Sequence, residues 1–537
     1  MSTVLYLNGT IYTMDSTHPR AQAMAIDDTS GRILAVGTND EVRRVGGQHT
    51  QLIDLKGKTV LPGFIDAHIH LLDAAYRSHH VNAAGSTSED EVAALVRERA
   101  AQTPRGRWIQ GGQWDKNLWP GERFPTKASL DAAAPEHPVA LSSKDGHVLW
   151  VNSLALQRAN ITAETPNPAT GAILRNGSGE PTGILQEEDA MTLVYRKIEK
   201  PDPQMNRLLI QRTLSELQRS GITTIHDIEG ETSLNLFQQL RDEGKLGVRV
   251  QMILPRQMLP RLRTQGINND DNDLLRVGGI KIFADGTLGS QTAAMLESFE
   301  GSPGNYGILT IPEQEMMDNV NDATEMGLTI AIHAIGDRAA KVALDAIERA
   351  QMLMAEQGTP EDTASGLRYR LEHVQLITPN DLERMRRLGV IASIQPFHAV
   401  ADRDIAERYW GKRSRRAYAY RTMHDMGIPL AMGSDAPVEI FDPLRILYAA
   451  TVRRDPATKR PPWLPDQALP VADALWGYTL GAAYAGAEEQ RKGSLTVGKL
   501  GDAIVLREDI LTVPQDKMFE NSIQATILGG KVVYGEA

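Results

Sequence analysis

Apolar residues in this chain come in short runs, and their spacing changes along its length. In the first part they alternate with polar ones, in VLYLNGTIYTM, in AQAMAIDDTSGRILAVG with a turn at Ser30–Gly31, and in TQLIDLKGKTVLP. Alternation with period two, broken by Gly and Asp turns, predicts short half-buried strands. The carboxyl end repeats the pattern in GKLGDAIVL and QATILGGKVVYGE, a hairpin around Gly529–Gly530. Neither end alone has enough strands for a stable sheet. The expectation is therefore one β-sandwich built from both termini, residues 1–59 and 486–537, beside a central domain over 60–485.

Within the central domain the runs are continuous rather than alternating. They are VLPGFIDAHIH (60–70), ITTIHDI (222–228), VRVQMIL (248–254), VGGIKIFADG (277–286), LTIAIHAIGD (328–337), YRLEHVQ (369–375), VIASIQP (390–396) and IPLAMGSDAP (428–437). Amphipathic segments such as RAAKVALDAIERAQMLMAE separate some of them. Buried strands alternating with helices predict a parallel sheet, and about eight such units predict an α/β fold closed as a (β/α)8, TIM-like barrel. An open doubly wound sheet would be expected to carry a GxGxxG phosphate loop, which this sequence lacks. Residues from about 72 to 215 interrupt the rhythm and read as an insertion near the barrel mouth.

Composition narrows the classes. The chain is 41% apolar and 23% charged, as ordinary globular proteins are, and its net charge of −11 argues against a nucleic-acid or basic membrane-binding face. It has no cysteine, so disulfides and thiolate metal sites are excluded. No signal peptide and no run of about 18 apolar residues is evident, which makes the cytoplasm the default. A run at 403–421, RDIAERYWGKRSRRAYAYR, is basic in this acidic chain. Most such runs are solvated helix faces; a lid attracting an anionic substrate is the sharper reading.

The candidate chemistry lies at strand ends. His68 and His70 close the first run, and side chains two apart on a strand point to one side. His333 ends LTIAIH, His373 ends YRLEH, and Asp435 follows IPLAMGS. Each alone reads as a buried histidine on a backbone carbonyl or an aspartate at a helix cap. Together, at carboxyl ends where barrel active sites collect, they suit zinc or a similar divalent ion. Five ligands are too many for one tetrahedral ion that also holds water, and too few for two close ions without a bridging anion.

Lys281 sits where such an anion is needed. Alternation turns Ile280, Ile282 and Ala284 toward the helices, leaving Lys281 and Phe283 facing the interior. A desolvated lysine is readily neutral, and a neutral amine reacts with carbon dioxide to give a carbamate with two bridging oxygens. The plainer alternative is a buried Lys281 paired with Asp285 or Asp435.

These motifs resemble the amidohydrolase superfamily, and more narrowly its YtcJ-like branch, amidohydrolase family 3, to which N-substituted formamide deformylases are similar. The resemblance rests on LPGFIDAHIH, DGHVLWVNSLAL, GITTIHD, GGIKIFADGTLGSQTAAM, IAIHAIGDRA, YRLEHVQ, ASIQPFH, MGSDAPVE and GSLTVGKLGDAIVL, spanning about 60 to 506. It implies two divalent metal ions, with zinc expected. His68, His70 and Asp435 would hold the more buried one, His333 and His373 the second, and carbamylated Lys281 would bridge. Two ions about 3.5–4 Å apart share a hydroxide that attacks a carbonyl, and Asp435 would move the proton to the leaving nitrogen. The implied function is hydrolysis of a non-peptide or amide-type C–N bond. The alternatives are a mononuclear deaminase or esterase-like hydrolase on the same barrel, or a metal-free regulatory homologue. His147, His398 and Trp114 are candidates for touching substrate, with Trp119 beside them, and His226 and Asp227 for supporting the ligands. The expected partner is a small amide-like molecule, with no nucleic acid and no membrane, and a homodimer is the default assembly.

Overall fold

The computed structural model of the chain describes residues 2–121, 123–143, 148–168, 171–199, 203–267, 269, 273–289, 291–358 and 366–537. Two compact units emerge, one of residues 1–72 with 210–537 and one of residues 73–209.

The first unit is organised around eight parallel strands: β1 (Phe64–Ile69), β2 (Ile222–Asp227), β3 (Arg249–Pro255), β4 (Leu275–Phe283), β5 (Thr329–Ala334), β6 (Tyr369–His373), β7 (Ile391–Ile394) and β8 (Leu430–Met432). They pair in chain order from β1 to β8, every pairing parallel. The seam between β8 and β1 is nearly closed. A parallel bridge joins Ile69 to Ala436, and the Asp435 amide donates to the His68 carbonyl at 2.7 Å. The barrel read from the apolar runs is thus present.

Its outer strand faces are apolar, with Ile280, Ile282, Ile330, Ile332 and Leu371 fully buried. Each such side chain contributes about 1.5–3 kcal/mol of burial free energy. The covering helices start and stop on local signals. Helix Pro379–Leu388 is capped by Thr378, whose side chain accepts from the Asp381 amide, and it ends at Gly389 with φ 65°. That left-handed position is one glycine fills without a Cβ penalty.

The barrel interior departs from the branched apolar filling usual for this architecture. Asp66, His68, Thr224, His226, Gln251, Lys281, Arg370, Glu372 and Ser393 occupy its strands and are all buried. Strands from both chain ends meet in one six-stranded sheet, where Ala503–Leu506 pairs antiparallel with Thr59–Pro62. A four-stranded sheet is made from Ile33–Gly37, Ala23–Asp27, Ser2–Leu7 and His49–Asp54. The two sheets share one buried cluster, with Tyr6 and Ile26 from one and Val60, Val505 and Ile527 from the other.

The second unit carries a mixed six-stranded sheet and its own core. Trp114, Trp119 and Trp150 pack there with ring centroids 5.8–6.2 Å apart, Trp150 edge-on to the other two. Each indole N–H donates to a backbone carbonyl at 2.9 Å: Trp114 to Leu141, Trp119 to Ser86 and Trp150 to Thr126. Trp114, expected to touch substrate, is instead a core residue at 1% exposure. Its ring is spent on packing and its only donor on the backbone. Among the described residues no helix is long and apolar enough to cross a membrane.

Candidate metal centre

Strand register decides which side chains meet. Across β4, β5 and β6, Phe283 lies opposite His333, His333 opposite Glu372, and Ala334 opposite His373. In-facing residues of neighbouring parallel strands therefore form rows, and the upper rows carry the imidazoles. Two ligand positions depend on unusual backbone. His373 has φ 73°, followed by Val374 at 44°, and Asp435 has φ 58°. Positive φ at a β-branched residue is costly, and strain of this kind collects where side chains must be aimed.

Asp435 is the meeting point. Its Oδ1 lies 3.3 Å from His68 Nε2 and 3.2 Å from His70 Nε2. Its Oδ2 lies 3.0 Å from His398 Nε2 and 4.0 Å from His373 Nδ1. Among the described residues two groups thus have donor atoms close enough to share an ion, His68–His70–Asp435 and His373–His398–Asp435. The first contains the HxH pair read from β1. In the second, His398 stands where His333 was expected. His333 instead sets Nε2 against the Gly286 carbonyl at 3.1 Å and Asp285 Oδ1 at 3.5 Å, while its ring stays 4.5 Å from that of His373.

The electrostatics suit ligation, which needs neutral imidazoles and an ionised carboxylate. Burial lowers His68 to about 4 and His333 to about 3, with the charge of Lys281 adding to both. Burial also lowers His373 well below its usual value, with His333 contributing. Burial raises Asp435, but His68, His398 and His70 outweigh it and hold the carboxyl well below the usual range. His398 behaves oppositely. Burial lowers it, yet its hydrogen bond to Asp435 and that residue's charge raise it to about 9, and the same contest with Asp435 leaves His70 raised as well.

Lys281 is 2% exposed, with Nζ 3.4 Å from His68 Nε2 and 4.9 Å from the centre of the Phe283 ring. Burial lowers its pKa to about 8 against the opposing pull of Glu372 and Asp435. Among the described residues no carboxylate lies within ion-pair distance of Nζ, so the pairing with Asp285 or Asp435 does not form. Asp285 instead accepts the amides of Ala294, Ile335 and Gly336.

The supporting groups went partly unnoticed in sequence. Glu372 Oε2 lies 2.6 Å from His68 Nδ1, with both residues fully buried. Arg370 holds Glu372 through Nε and Nη2 and also donates to Ser393 Oγ at 2.9 Å and His226 Nδ1 at 3.0 Å. Gln395 Oε1 lies 2.8 Å from His373 Nδ1, and the Ile228 carbonyl 2.8 Å from His70 Nδ1. Such contacts fix the ring orientation and the tautomer that a metal requires. The missed signal was Arg370 and Glu372 themselves, alternate charged positions in an otherwise apolar strand, as conspicuous as Lys281. Asp227, by contrast, accepts the Leu71 amide at 2.8 Å. His147 lies outside the described residues.

Residues 51–534 match the model of a family described as "Amidohydrolase family". The chain is 33% identical to the protein LONG AFTER FAR-RED 3 of Arabidopsis thaliana, over 99% of this chain and 91% of that one. It is 29% identical to an N-substituted formamide deformylase of Arthrobacter pascens, over 99% and 98%. Among solved structures it resembles an uncharacterized metal-dependent hydrolase from Pyrococcus furiosus, with a TM-score of 0.78 and 29% identity over 95% of this chain and 100% of that one.

Proposed function

Because this chain belongs to the amidohydrolase family, we propose that it is a metal-dependent hydrolase opening a carbon–nitrogen bond of an amide-type small molecule. The family and the resemblance to a metal-dependent hydrolase support hydrolysis, and the deformylase supports the bond type. The observation that carries the reading is Asp435, whose two oxygens each face a different histidine group. The imidazoles of His68 and His373, kept neutral by burial, converge with the ionised Asp435 carboxylate as a donor set fit for a divalent ion.

His68, His70 and Asp435 would hold one ion. His373, with His398 or His333, would hold a second, and Lys281 carrying a carboxyl group would lie between them. A bound divalent ion supplies Lewis-acid polarisation of the scissile carbonyl and an acidified water. The remaining work belongs to side chains. Glu372 keeps the proton of His68 on Nδ1, leaving Nε2 as the donor atom. Asp435 takes a proton and returns it to the leaving nitrogen, the general acid–base role. His398, donating to Asp435 Oδ2, holds that carboxylate in place between the two transfers.

One observation favours a second reading. His398 lies 3.0 Å from Asp435 Oδ2, and that carboxylate raises its pKa; in this reading it serves Asp435 as a hydrogen-bond donor rather than an ion as a ligand. That removes His398 from the second group, and with His333 held on the Gly286 carbonyl rather than joining His373 the centre would be mononuclear. Metal analysis of the purified protein, joined to a screen of formamides, N-acyl amino acids, lactams and esters, tests both. About two divalent ions per chain and turnover of a C–N substrate are expected. One ion per chain favours the second reading. A metal-loaded protein that hydrolyses esters alone sinks the assignment to C–N bonds.

A further inference from the structure

One aromatic ring at the carboxyl ends of the strands has no part in the chemistry described so far. Phe283 closes β4, opposite His333 on β5, and alternation turns it to the same side as Lys281. Lys281 Nζ lies 4.9 Å from its ring centre, and the His333 ring lies 5.3 Å away at an interplanar angle of 41°. These contacts put the ring beside the donor groups. Its backbone is fixed as well. The Thr310 hydroxyl donates to the Phe283 carbonyl at 2.8 Å, and the next amide, that of Ala284, donates to the His333 carbonyl at 3.0 Å.

Exposure around the centre is uneven. His68, Lys281, His333 and Asp435 are buried and His70 is partly so, whereas Phe283 is 49% exposed. A single phenylalanine on an outer surface needs no explanation. This one is the last inward-facing residue of its strand, and the inward-facing residue before it is the buried Lys281. Its open surface therefore borders the centre, at the end of the barrel where substrates are received.

Granted the metal-dependent hydrolase reading above, on which this rests, we propose that Phe283 determines specificity by receiving an aromatic group carried next to the scissile bond of the substrate. Aromatic pairs gain more than burial alone when offset or edge-to-face. Small-molecule sites combine such apolar walls with a few convergent polar groups, here the imidazoles and Asp435. A polar substituent against the ring would lose water and meet no partner in it. The competing role for Phe283 is to shield Lys281 from water. That role predicts something different, because loss of the ring would then weaken every ligand alike.

Three hydroxamates, which chelate a divalent ion through the same two oxygens, separate the two roles by titration calorimetry on the purified metal-loaded protein. Acetohydroxamate has no ring, benzohydroxamate has one on the acyl side, and N-phenylacetohydroxamate has one on the nitrogen. One of the ring-bearing probes is expected to bind about tenfold more tightly than acetohydroxamate, the scale of an apolar contact in a specificity pocket. Which one does so shows the side of the scissile bond that faces Phe283. In Phe283→Ala the advantage disappears while the acetohydroxamate Kd stays the same, and in Phe283→Leu it is reduced. Equal affinities of all three probes for the unaltered protein overturn the proposal, as does an advantage that survives in Phe283→Ala. Equal weakening of all three in Phe283→Ala also overturns it and leaves the ring as a shield for Lys281. If Phe283→Ala does not fold, an undiminished advantage in Phe283→Leu is decisive against it. Failure of every hydroxamate to bind the metal-loaded protein overturns the metal-centre reading, and this inference with it.

Discussion

At the amino end of β3, Arg249 lays its guanidinium along Asp502, with Nε and Nη2 donating at 2.6 and 2.8 Å. Nearby, Lys492 meets Glu488 at 2.5 Å, and Asp502 also accepts the Gly529 amide. At the carboxyl ends of the same strands, His68, His70, His373 and His398 crowd around the single carboxylate of Asp435. Both clusters are buried, and both carry charge. The first matches each cation with an anion and directs its hydrogen bonds inward, so it asks for nothing further. The second gathers the lone pairs of His68, His333 and His373, kept neutral by burial, and leaves Lys281 among them with no described carboxylate in ion-pair contact. Matched charge marks a structural cluster, and unmatched donors mark a site for something the chain does not itself supply.

The largest effect that would break this contrast is expected at Asp435. Replacing it with Asn preserves shape and hydrogen bonding while removing the proton acceptor. Turnover of a C–N substrate should fall about 10²–10⁴-fold, the usual worth of a general acid–base group, while most bound metal remains. Unchanged turnover, measured alongside metal content, would remove Asp435 from the chemistry. In the matched cluster the loss should appear in stability instead. Arg249→Met leaves Asp502 as a buried unpaired charge, at a cost of about 3–5 kcal/mol, read as a shift in denaturant midpoint. Metal content of the folded fraction should be unaltered. A fall in metal content at unchanged stability would mean that the two clusters are not separable as described.

How far the chain could be read without coordinates follows the same division. The barrel was legible because buried parallel strands write themselves as continuous apolar runs, and His68 and His70 stood out against one. Lys281 was legible for the same reason, as a charge where alternation wanted none. Glu372 and Arg370 carried that signal too, in YRLEHVQ, but His373 beside them drew the attention. Trp114 shows the opposite failure, because a tryptophan that lines a pocket and one that fills a core look alike until its neighbours are known. Gln395 had no local signature; it matters because it meets His373, in an environment assembled by the fold, beyond the reach of periodicity.

The last test compares the two clusters through one lysine. A buried ammonium without a counter-ion is a cost that function retains, so removing it should help the metal-free protein. Burial lowers Lys281 from 10.5 to about 8 in the fold. Below about pH 8 both the folded and the unfolded chain hold the proton, and the cost of burying the charge is complete. Between pH 8 and 10.5 the unfolded chain binds more protons than the folded one, so stability rises with pH across that window. Above it neither state is charged and the cost is gone. Lys281→Met, similar in length and uncharged, should therefore stabilise the chelator-treated protein at neutral pH by up to about 3 kcal/mol. The gain should shrink toward zero as pH approaches 10.5, while metal binding at pH 7 weakens. Denaturant midpoints of the two proteins across that range decide the matter. A gain that does not change with pH would assign the effect to packing, and a loss of stability at neutral pH would mean that Lys281 has a partner in the fold after all.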